Sequence, residues 1–451
     1  MVQKSGQLEL PLESRGEAPR AKRSGQATSA ATETGSPGTD ALMERVLSRS
    51  NMQRALKRVK GNKGSPGVDG MAVDELPEWL REHWPRVREE LLAGTYQPSA
   101  VRRAVIPKPG GGERMLGIPT VLDRLLQQAL LQTLQPDFDA TFSEHSHGFR
   151  PGRGAHGAMR EVCTYVQAGK RWVVDVDLKK FFDRVNHDVL MGRLARRVSD
   201  RRVLGLIRRY LNAGVMADGV VVERHEGTPQ GGPLSHLLAN VLLDDVDKEL
   251  EARGHAFVRY ADDLRVFVGS KRAGERVMCS LVKLFGKLRL EVNEAKSAVA
   301  LASSRPFLGF ALWYGRGGEV KLRIAPKALH KMKDRVRQLT RRMRGRSLAD
   351  VVQSLAAYLN GWRGYFRVAA TNRRFRELGE WIRHRLRAYQ LKQWKRGKTV
   401  FRELRARGMS VDAAARVAAN VRRWWRNSAM AIHLAMPNAL FDELGLPSLA
   451  S

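Results

Sequence analysis

The chain has 451 residues, with 79 Lys and Arg against 46 Asp and Glu, a formal net charge of +33. A hydrophobic share of 43% excludes wholesale disorder, and two cysteines exclude a disulfide framework or a four-cysteine zinc site, which fits a cytoplasmic location. The charge predicts a polyanionic partner, most commonly nucleic acid, and because no apolar run reaches 18 residues we expect no membrane partner.

The pattern along the chain predicts a tail followed by an α+β region. Residues 1–40 are rich in Ser, Gly, Thr, Ala and Pro, which predicts a flexible tail. A helix is expected from about Thr39 and another over 121–135, with short strands and Pro or Gly turns between 96 and 120. β-rich runs and helices mix between 170 and 310, which indicates an α+β domain.

The composition changes near residue 320. Residues 321–400 hold 23 Lys and Arg but 4 Asp and Glu, a local net charge of +19. Three stretches place apolar residues three or four apart, which predicts amphipathic helices with basic outer faces. The stripes are Leu329, Met332, Val336, Leu339 and Met343; Leu348, Val351, Leu355, Leu359 and Trp362; and Phe375, Leu378, Ile382, Leu386 and Tyr389. Such helices can lie along a phosphate backbone, whereas a merely solvated surface would alternate with acidic residues.

Two acidic residues end an apolar strand in RWVVDVD, residues 171–177. Strand alternation puts Asp175 and Asp177 on the same face. Buried carboxylates are costly unless they pair with cations or bind a metal. A salt-bridged strand end is an equally common interpretation.

A second acidic pair lies in AFVRYADDLRVFV, residues 256–268. Two β-rich runs flank a short connection, which predicts a hairpin with Asp262 and Asp263 at or beside its tip, although an Asp in an ordinary turn is the alternative. With Asp177, these carboxylates suit Mg²⁺. Two such ions about 3.5–4 Å apart can activate an attacking hydroxyl and stabilise a leaving pyrophosphate. The residues thus indicate a polymerase or a nuclease without choosing between them.

An ordered series of motifs adds a family resemblance. The motifs are GNKGSPGVDGM (61–71), IPKPGGGERMLGIPT (106–120), FSEHSHGFRPGRGAH (142–156), DVDLKKFFDRVNH (175–187), GTPQGGPLSHLLANVLL (227–243), RYADD (259–263), LEVNEAKS (290–297) and FLGF (307–310). This series strongly resembles the reverse transcriptases encoded by bacterial group II introns. YLNGWRGYF (358–366) and WIRHRLRAYQLKQWK (381–395) resemble the thumb and maturase region of that family.

The resemblance covers roughly residues 45–451 and implies a right-hand polymerase of α+β class. Fingers and a palm with an antiparallel sheet would occupy 41–315, and a helical thumb and maturase domain 316–400. Residues 401–451 would form a maturase or DNA-binding-like region.

The resemblance also implies roles for single residues. Asp177 and Asp262 match the principal ligands of two Mg²⁺ ions, for which Mn²⁺ can substitute, and Asp263 matches the third catalytic carboxylate. Asp175 matches no role and is interpreted as structural or as tuning the local field. Phe182 matches a steric gate against the ribose 2′-hydroxyl. A core phenylalanine is the alternative there, and Phe181 fits that role.

Further substrate contacts follow from the same motifs. They are Lys108 and Arg114 on the triphosphate, Gln230 on the nascent base pair, Tyr260 at the primer terminus and Lys296 on the substrate side. For the cations the alternative is a solvated surface side chain, and for Gln230 it is a plain Gly-Pro turn.

Nucleic-acid contacts are expected in the basic C-terminal part. Trp and Tyr residues of 358–395 are interpreted as helix core, and the tryptophans at 424 and 425, flanked by arginines, as candidates for nucleic-acid contact. The predicted contact residues are Arg341, Arg342, Arg344, Arg383, Arg385, Lys392, Lys395, Arg422, Arg423 and Trp424. Many family members carry an endonuclease domain with cysteine pairs, and since no cysteine follows Cys279 we expect an endonuclease-less member.

Three functions remain open. The first is an RNA-directed DNA polymerase that binds its group II intron RNA, assists splicing and copies the RNA into cDNA, with a DNA primer or target and dNTPs as further partners. The second is a reverse transcriptase recruited to DNA repair or defence without an intron. The third is a non-catalytic RNA-binding splicing chaperone. The intact Asp177, Asp262 and Asp263 favour the two polymerase hypotheses.

Overall fold

The computed structural model describes residues 41–107, 113–217, 220–222, 226–228, 231–341, 345–369, 372–428 and 432–450. They belong to two compact units, one ending at Ala302 and the other beginning at Ser303. The predicted tail, residues 1–40, lies outside the described residues. No helix in the described ranges is both long enough and apolar enough to cross a membrane.

The first unit combines helices with two sheets. Its helices are α1 (Leu42–Val46), α2 (Arg49–Gly61), α3 (Leu76–Leu92), α4 (Val121–Asp139), α5 (Ala155–Gln167), α6 (His187–Leu194), α7 (Arg201–Asn212), α8 (Ser235–Ala252) and α9 (Lys271–Lys287). Its strands are β1 (Val101–Pro107), β2 (Glu113–Ile118), β3 (Trp172–Val176), β4 (Val215–Ala217), β5 (Val220–Val222), β6 (Ala256–Tyr260), β7 (Asp263–Val268) and β8 (Ala298–Leu301).

The central sheet has the strand order β6-β7-β3-β8, and every neighbouring pair in it is antiparallel. Helix α9 packs closely on it, since a Cβ at Gly274 would lie 2.5 Å from the Val299 side chain, while α5 and α8 contact β6. Val173 and Val174, which point to opposite faces, are therefore both fully buried. This packing fixes the strand ends on which the acidic residues lie.

The other sheet has the order β2-β1-β4-β5. Strands β1 and β2 form the antiparallel hairpin expected between 96 and 120, and β1 pairs in parallel with β4. The helix predicted over 121–135 is α4, which extends to Asp139. Thr120 caps it by accepting a hydrogen bond from the Asp123 backbone N–H at 3.1 Å.

The single helix predicted from about Thr39 is instead two helices. Ser48 has a non-helical backbone (φ −59°, ψ 142°) and forms the N-cap of α2, so the chain breaks between α1 and α2. The apolar side chains still share one core: Met43 and Val46 are buried, and Met52 and Leu56 pack against the same cluster.

The second unit begins with an antiparallel hairpin of β9 (Phe310–Tyr314) and β10 (Val320–Ile324). The helices that follow are α10 (Pro326–Leu339), α11 (Leu348–Phe366), α12 (Asn372–Trp394), α13 (Gly397–Ala406), α14 (Val411–Ala419), α15 (Trp424–Ser428), α16 (Ile432–Ala435) and α17 (Asn438–Glu443). The three predicted amphipathic helices are thus confirmed as α10, α11 and α12. Met343, the predicted last apolar residue of the first stripe, lies outside the described residues.

Candidate active site

The predicted acidic hairpin is present and tightly turned. Tyr260, the last residue of β6, pairs with Asp263, the first residue of β7, and Ala261 and Asp262 form the turn between them. Ala261 is buried and has φ of +59°, a left-handed conformation that is uncommon for a residue with a Cβ. We call Ala261–Asp262 the catalytic turn, after the role predicted for Asp262.

Asp177 lies directly after β3, beside this hairpin. Val176 pairs with Leu264, so continuing the antiparallel register by one residue brings Asp177 level with Asp263. The Asp177 backbone N–H donates to Ser297 Oγ at 3.0 Å, and Asn293 Nδ2 donates to Asp177 Oδ1 at 3.3 Å. The carboxylate is therefore held at the end of the sheet where the hairpin turns.

Lys296 is the predicted substrate-side cation, and it lies at this carboxylate. Its Nζ is 3.8 Å from Asp177 Oδ2, and both side chains are partly exposed. The ammonium thus contributes positive charge to an acidic centre while still reaching solvent.

The three catalytic candidates influence one another electrostatically. Asp263 remains exposed at the start of β7, but the protein around its carboxyl excludes enough water to raise its pKa to about 6. Neighbouring carboxylates act in the same direction: Asp262, Asp175 and Asp177. Arg265 opposes them. An acidic group whose ionised form is disfavoured by its acidic neighbours marks a place where a cation would be bound favourably.

The donor set suits a divalent cation, although the carboxylates do not form a finished coordination sphere. Among the described residues, no group of three His, Cys, Asp or Glu side chains converges closely enough to hold a metal ion. The residues that would hold Mg²⁺ are Asp177, Asp262 and Asp263, which offer the hard oxygen ligands that this ion prefers. The negative charges of Asp262 and Asp177, which act on the Asp263 carboxyl, favour this fit.

Asp175 is engaged in the sheet. It stands opposite Arg265 in the β3–β7 ladder, and the two side chains form an ion pair at 3.2 Å in which both are largely buried. Its negative charge also raises the pKa of Asp263. Both parts of the interpretation made from the sequence, structural support and tuning of the field, agree with this geometry.

The two neighbouring phenylalanines differ in burial. Phe181 is only 2% exposed and belongs to the core, whereas Phe182 is half-buried. The two rings pack edge to face, with their centres 5.0 Å apart. The Phe182 carbonyl accepts a hydrogen bond from the Thr228 N–H at 2.7 Å, which ties it to the loop that precedes Gln230. Phe182 is thus the less buried ring of the pair.

The remaining substrate candidates are only partly described. Lys108 and Gln230 lie outside the described residues, and Arg114 is placed by its backbone in β2, opposite Ile106. The loop after Gln230 approaches the same hairpin, since a Cβ at Gly231 would lie 2.6 Å from the Gly117 carbonyl oxygen.

Several residues of the second unit that were predicted to contact nucleic acid instead contact other residues of that unit. Arg383 forms an ion pair with Asp442 at 2.8 Å, and Arg385 donates to Thr340 Oγ1 and lies over the Trp381 ring. Lys392 Nζ lies 4.2 Å from the centre of the Trp424 ring. Others are exposed: Arg341, Lys395, Arg422 and Arg423. Arg342 and Arg344 lie outside the described residues.

The aromatic residues interpreted as helix core are all buried or half-buried. Trp362 and Tyr389 are buried, and Tyr365, Trp381 and Trp394 are half-buried. Trp425, by contrast, is 43% exposed, and its ring stacks on the His384 ring with the two ring centres 3.8 Å apart.

A buried polar network beneath the catalytic turn was missed by the sequence analysis. Arg259 is 1% exposed and forms an ion pair with Asp247 of α8, which is fully buried. The Arg259 guanidinium also donates to Asn240 Oδ1 at 2.8 Å and to the Ala261 carbonyl at 2.9 Å. The local pattern gave little signal: Asp247 lies between the apolar Val246 and Leu250, but the same half of α8 also carries Asp244, Asp245, Lys248, Glu249 and Glu251.

Two family models match the chain in succession. Reverse transcriptase (RNA-dependent DNA polymerase) matches residues 106–312, and the group II intron maturase-specific domain matches residues 329–408. The first match contains all three catalytic candidates, and the second covers most of α10 and all of α11, α12 and α13.

Individual relatives agree with these matches. Protein YkfC of Escherichia coli strain K12 is 33% identical over 300 residues, which are 57% of this chain and 78% of YkfC. Group II intron-encoded protein LtrA of Lactococcus lactis subsp. cremoris is 29% identical over 335 residues, and the chain spans 55% of its length. Among solved structures, a partial Cas6-RT-Cas1–Cas2 complex is 25% identical, with a TM-score of 0.36 over 54% of this chain and 42% of that one. The chain belongs to the group II intron-encoded reverse transcriptases, RNA-directed DNA polymerases in which a maturase-specific domain follows the polymerase domain.

Proposed function

We propose that this protein binds group II intron RNA, assists its splicing and copies RNA into DNA by phosphoryl transfer with two Mg²⁺ ions at Asp177, Asp262 and Asp263. One observation carries the proposal: the strand register brings Asp177 level with Asp263 beside the catalytic turn, and the repulsion among their charges contributes to the raised pKa of Asp263.

In the proposed reaction the 3′-hydroxyl of a DNA primer attacks the α-phosphorus of a dNTP. A phosphodiester bond forms and pyrophosphate leaves, so the demands on the protein are positioning and charge neutralisation. Bound Mg²⁺ ions would supply the charge that stabilises the attacking and leaving oxygens. The chain holds the Asp177 carboxylate through Asn293, and Lys296 beside it is placed to meet a substrate phosphate.

The other contacts belong to the same proposal. Phe182 would exclude the ribose 2′-hydroxyl with its half-buried ring, and Tyr260 would contact the primer terminus from the end of β6. Lys108 and Arg114 would grip the triphosphate, because guanidinium and ammonium groups bind phosphate oxygens strongly. Gln230 would contact the nascent base pair.

Intron RNA would bind the exposed cations of the second unit. Arg341, Lys395 and Arg422 present guanidinium and ammonium groups to solvent, and residues 321–400 carry a net charge of +19. The maturase-specific match supports RNA rather than another polyanion as the partner. A cytoplasmic location remains a prediction from the scarcity of cysteine.

Primer extension on an RNA template with Mg²⁺ tests the polymerase part. Asp262→Asn should abolish cDNA synthesis while leaving RNA affinity unchanged, since it removes a ligand charge at the turn. Asp188→Asn is the matched control, because Asp188 is an exposed aspartate on α6 whose carboxylate forms an ion pair with Arg208 at 2.7 Å. Normal extension by Asp262→Asn would remove the metal assignment.

Splicing is tested separately with the RNA transcribed from the DNA that flanks the coding sequence. If that RNA folds as a group II ribozyme and the protein accelerates its splicing, the maturase part stands. If the protein extends primers but the flanking DNA encodes no such ribozyme, the repair or defence hypothesis replaces it. Splicing that survives Asp262→Asn while the parent protein makes no cDNA would leave the chaperone hypothesis.

A further inference from the structure

We propose that Arg259 is a positioning residue: its buried guanidinium holds the catalytic turn and thereby places Asp262 and Asp263 for the reaction. The proposal rests on the proposed function, because it assigns the two carboxylates to the reaction centre. Arg259 itself touches no substrate and would act through the backbone of the turn.

The guanidinium is fully committed to protein partners. Its Nε lies 2.8 and 2.9 Å from the two Asp247 carboxylate oxygens, and its Nη1 donates to Asn240 Oδ1 and to the Ala261 carbonyl. A planar fork is needed to reach these partners at once, and lysine cannot reproduce it. The Ala261 carbonyl belongs to the peptide bond whose nitrogen is that of Asp262, so this hydrogen bond fixes the peptide plane that leads into the first carboxylate.

The turn requires such a support. Ala261 has a left-handed backbone, which L-residues with a Cβ keep only where the surrounding structure enforces it. A second segment packs directly against the turn: a Cβ at Gly148 would lie 2.2 Å from the Ala261 nitrogen. Asn240 joins the two supports, because its Nδ2 donates to the Gly148 carbonyl at 3.0 Å.

The Arg259 backbone is fixed as well. Its N–H donates to the His145 carbonyl at 2.9 Å, and its carbonyl accepts from the His147 N–H at 2.8 Å. The position of the guanidinium relative to the turn is therefore set by the backbone on one side and by Asp247 on the other. A buried ion pair made only for stability would not need a bond to the turn carbonyl.

Two variants remove this bond in different ways. Arg259→Lys keeps a positive charge for Asp247 but loses the fork. The double variant Arg259→Met with Asp247→Leu removes both buried charges together, which proteins commonly tolerate, whereas removing one partner alone leaves an uncompensated buried charge. Arg202→Lys is the matched control, because Arg202 pairs with Asp200 and Glu44 at the start of α7, away from the hairpin.

The measurements separate positioning from stability. In both test variants we expect kcat for nucleotide incorporation to fall about 100-fold, because a displacement of about 1 Å at a reacting centre has that effect. KM for dNTP and RNA affinity should change less than threefold, and the Mg²⁺ concentration for half-maximal activity should rise. Hydrogen–deuterium exchange of the peptide containing residues 259–264, measured without metal or substrate, should be faster than in the parent protein. Arg202→Lys should show none of these changes.

Each result decides the proposal. Test variants that are folded by denaturation assay, with kcat within threefold of the parent protein and unchanged exchange at the turn, would overturn it. A kcat loss that merely follows the folded fraction would also overturn it and leave Arg259 as a stability residue. If the parent protein itself makes no cDNA, the proposed function fails, whereas an active parent with an inactive Asp262→Asn variant leaves the Arg259 experiment as an independent test.

Discussion

The close approach of Gly148 to the catalytic turn makes Gly148→Ala a sharp perturbation. The added Cβ would meet the Ala261 nitrogen at 2.2 Å and the Tyr260 carbonyl carbon at 2.9 Å, and both atoms are backbone that cannot rotate away. Ordinary contacts begin at 3.4 Å, so the loop and the turn must separate by about 1 Å. We expect the single-turnover rate of nucleotide incorporation to fall about 100-fold, or about 2.7 kcal/mol in activation free energy, and stability to fall by about 1–3 kcal/mol.

The assay is rapid-quench extension of a saturated primer–template complex with saturating dNTP, accompanied by chemical denaturation of the same samples. Gly154→Ala is the control, since Gly154 lies in the same loop, has an extended backbone and has no atom within 4 Å of its would-be Cβ. The control should keep the parent rate. If Gly148→Ala also keeps it within threefold while folded, the turn is not fixed by this contact and the reasoning is wrong.

Three further predictions concern discrimination, pH and salt. Phe182→Ala should raise the ratio of ribonucleotide to deoxyribonucleotide incorporation by at least tenfold in single-nucleotide assays, and an unchanged ratio would refute the gate. Glu161→Gln should destabilise the protein most between about pH 4.5 and 6.5. Burial raises the pKa of Glu161, but hydrogen bonds from His145, His147 and Tyr165 outweigh this effect and lower the pKa to about 2. The same hydrogen bond to Glu161 raises the pKa of His145. The carboxylate therefore stabilises above its unfolded pKa near 4.5 and loses this effect as pH falls toward 2, and the imidazolium stabilises below about 6.5 and loses it as pH rises through the folded pKa. Urea unfolding of the parent protein and the variant across this range checks both signs, and a constant difference would contradict them. RNA affinity measured by filter binding should fall about 10³–10⁵-fold between 50 and 200 mM salt if 6–10 phosphates are contacted, and a flat dependence would argue against phosphate recognition.

Local patterns were enough to predict much of the architecture. The β-rich runs in residues 171–177 and 256–268 predicted one strand and a hairpin with Asp262 at or beside its tip, as the structure has them, because runs of apolar and β-branched residues are typical of buried strands. The three basic helices followed from spacings of three and four residues for the same reason. The break at Ser48 was not predicted, because Leu42, Val46, Met52 and Leu56 can be placed on one side of a single helix.

Contacts between distant segments could not be predicted in this way. Arg259 stands out in RYADD only after Asp247 is known to be buried beside it, and no spacing rule connects a strand to a residue twelve positions earlier on a helix. The ion pair of Lys296 with Asp177 is of the same kind: its two residues are 119 positions apart and meet only because β3 and the loop before β8 are neighbours in the sheet. The residue roles taken from the family resemblance remain predictions.

The network under the catalytic turn has a consequence for how the protein acquires activity. Asn240 and Gly148, joined by one of its hydrogen bonds, are 92 residues apart in the chain, and Arg259 lies beyond both. The entropy cost of closing such long loops is incurred before the contacts that offset it can form. The turn can therefore reach its final geometry only late in folding. A partly synthesised or partly folded chain would carry Asp177 without an assembled reaction centre. With increasing denaturant, polymerase activity should therefore be lost at the concentration at which the whole first unit unfolds, rather than in an earlier, local step.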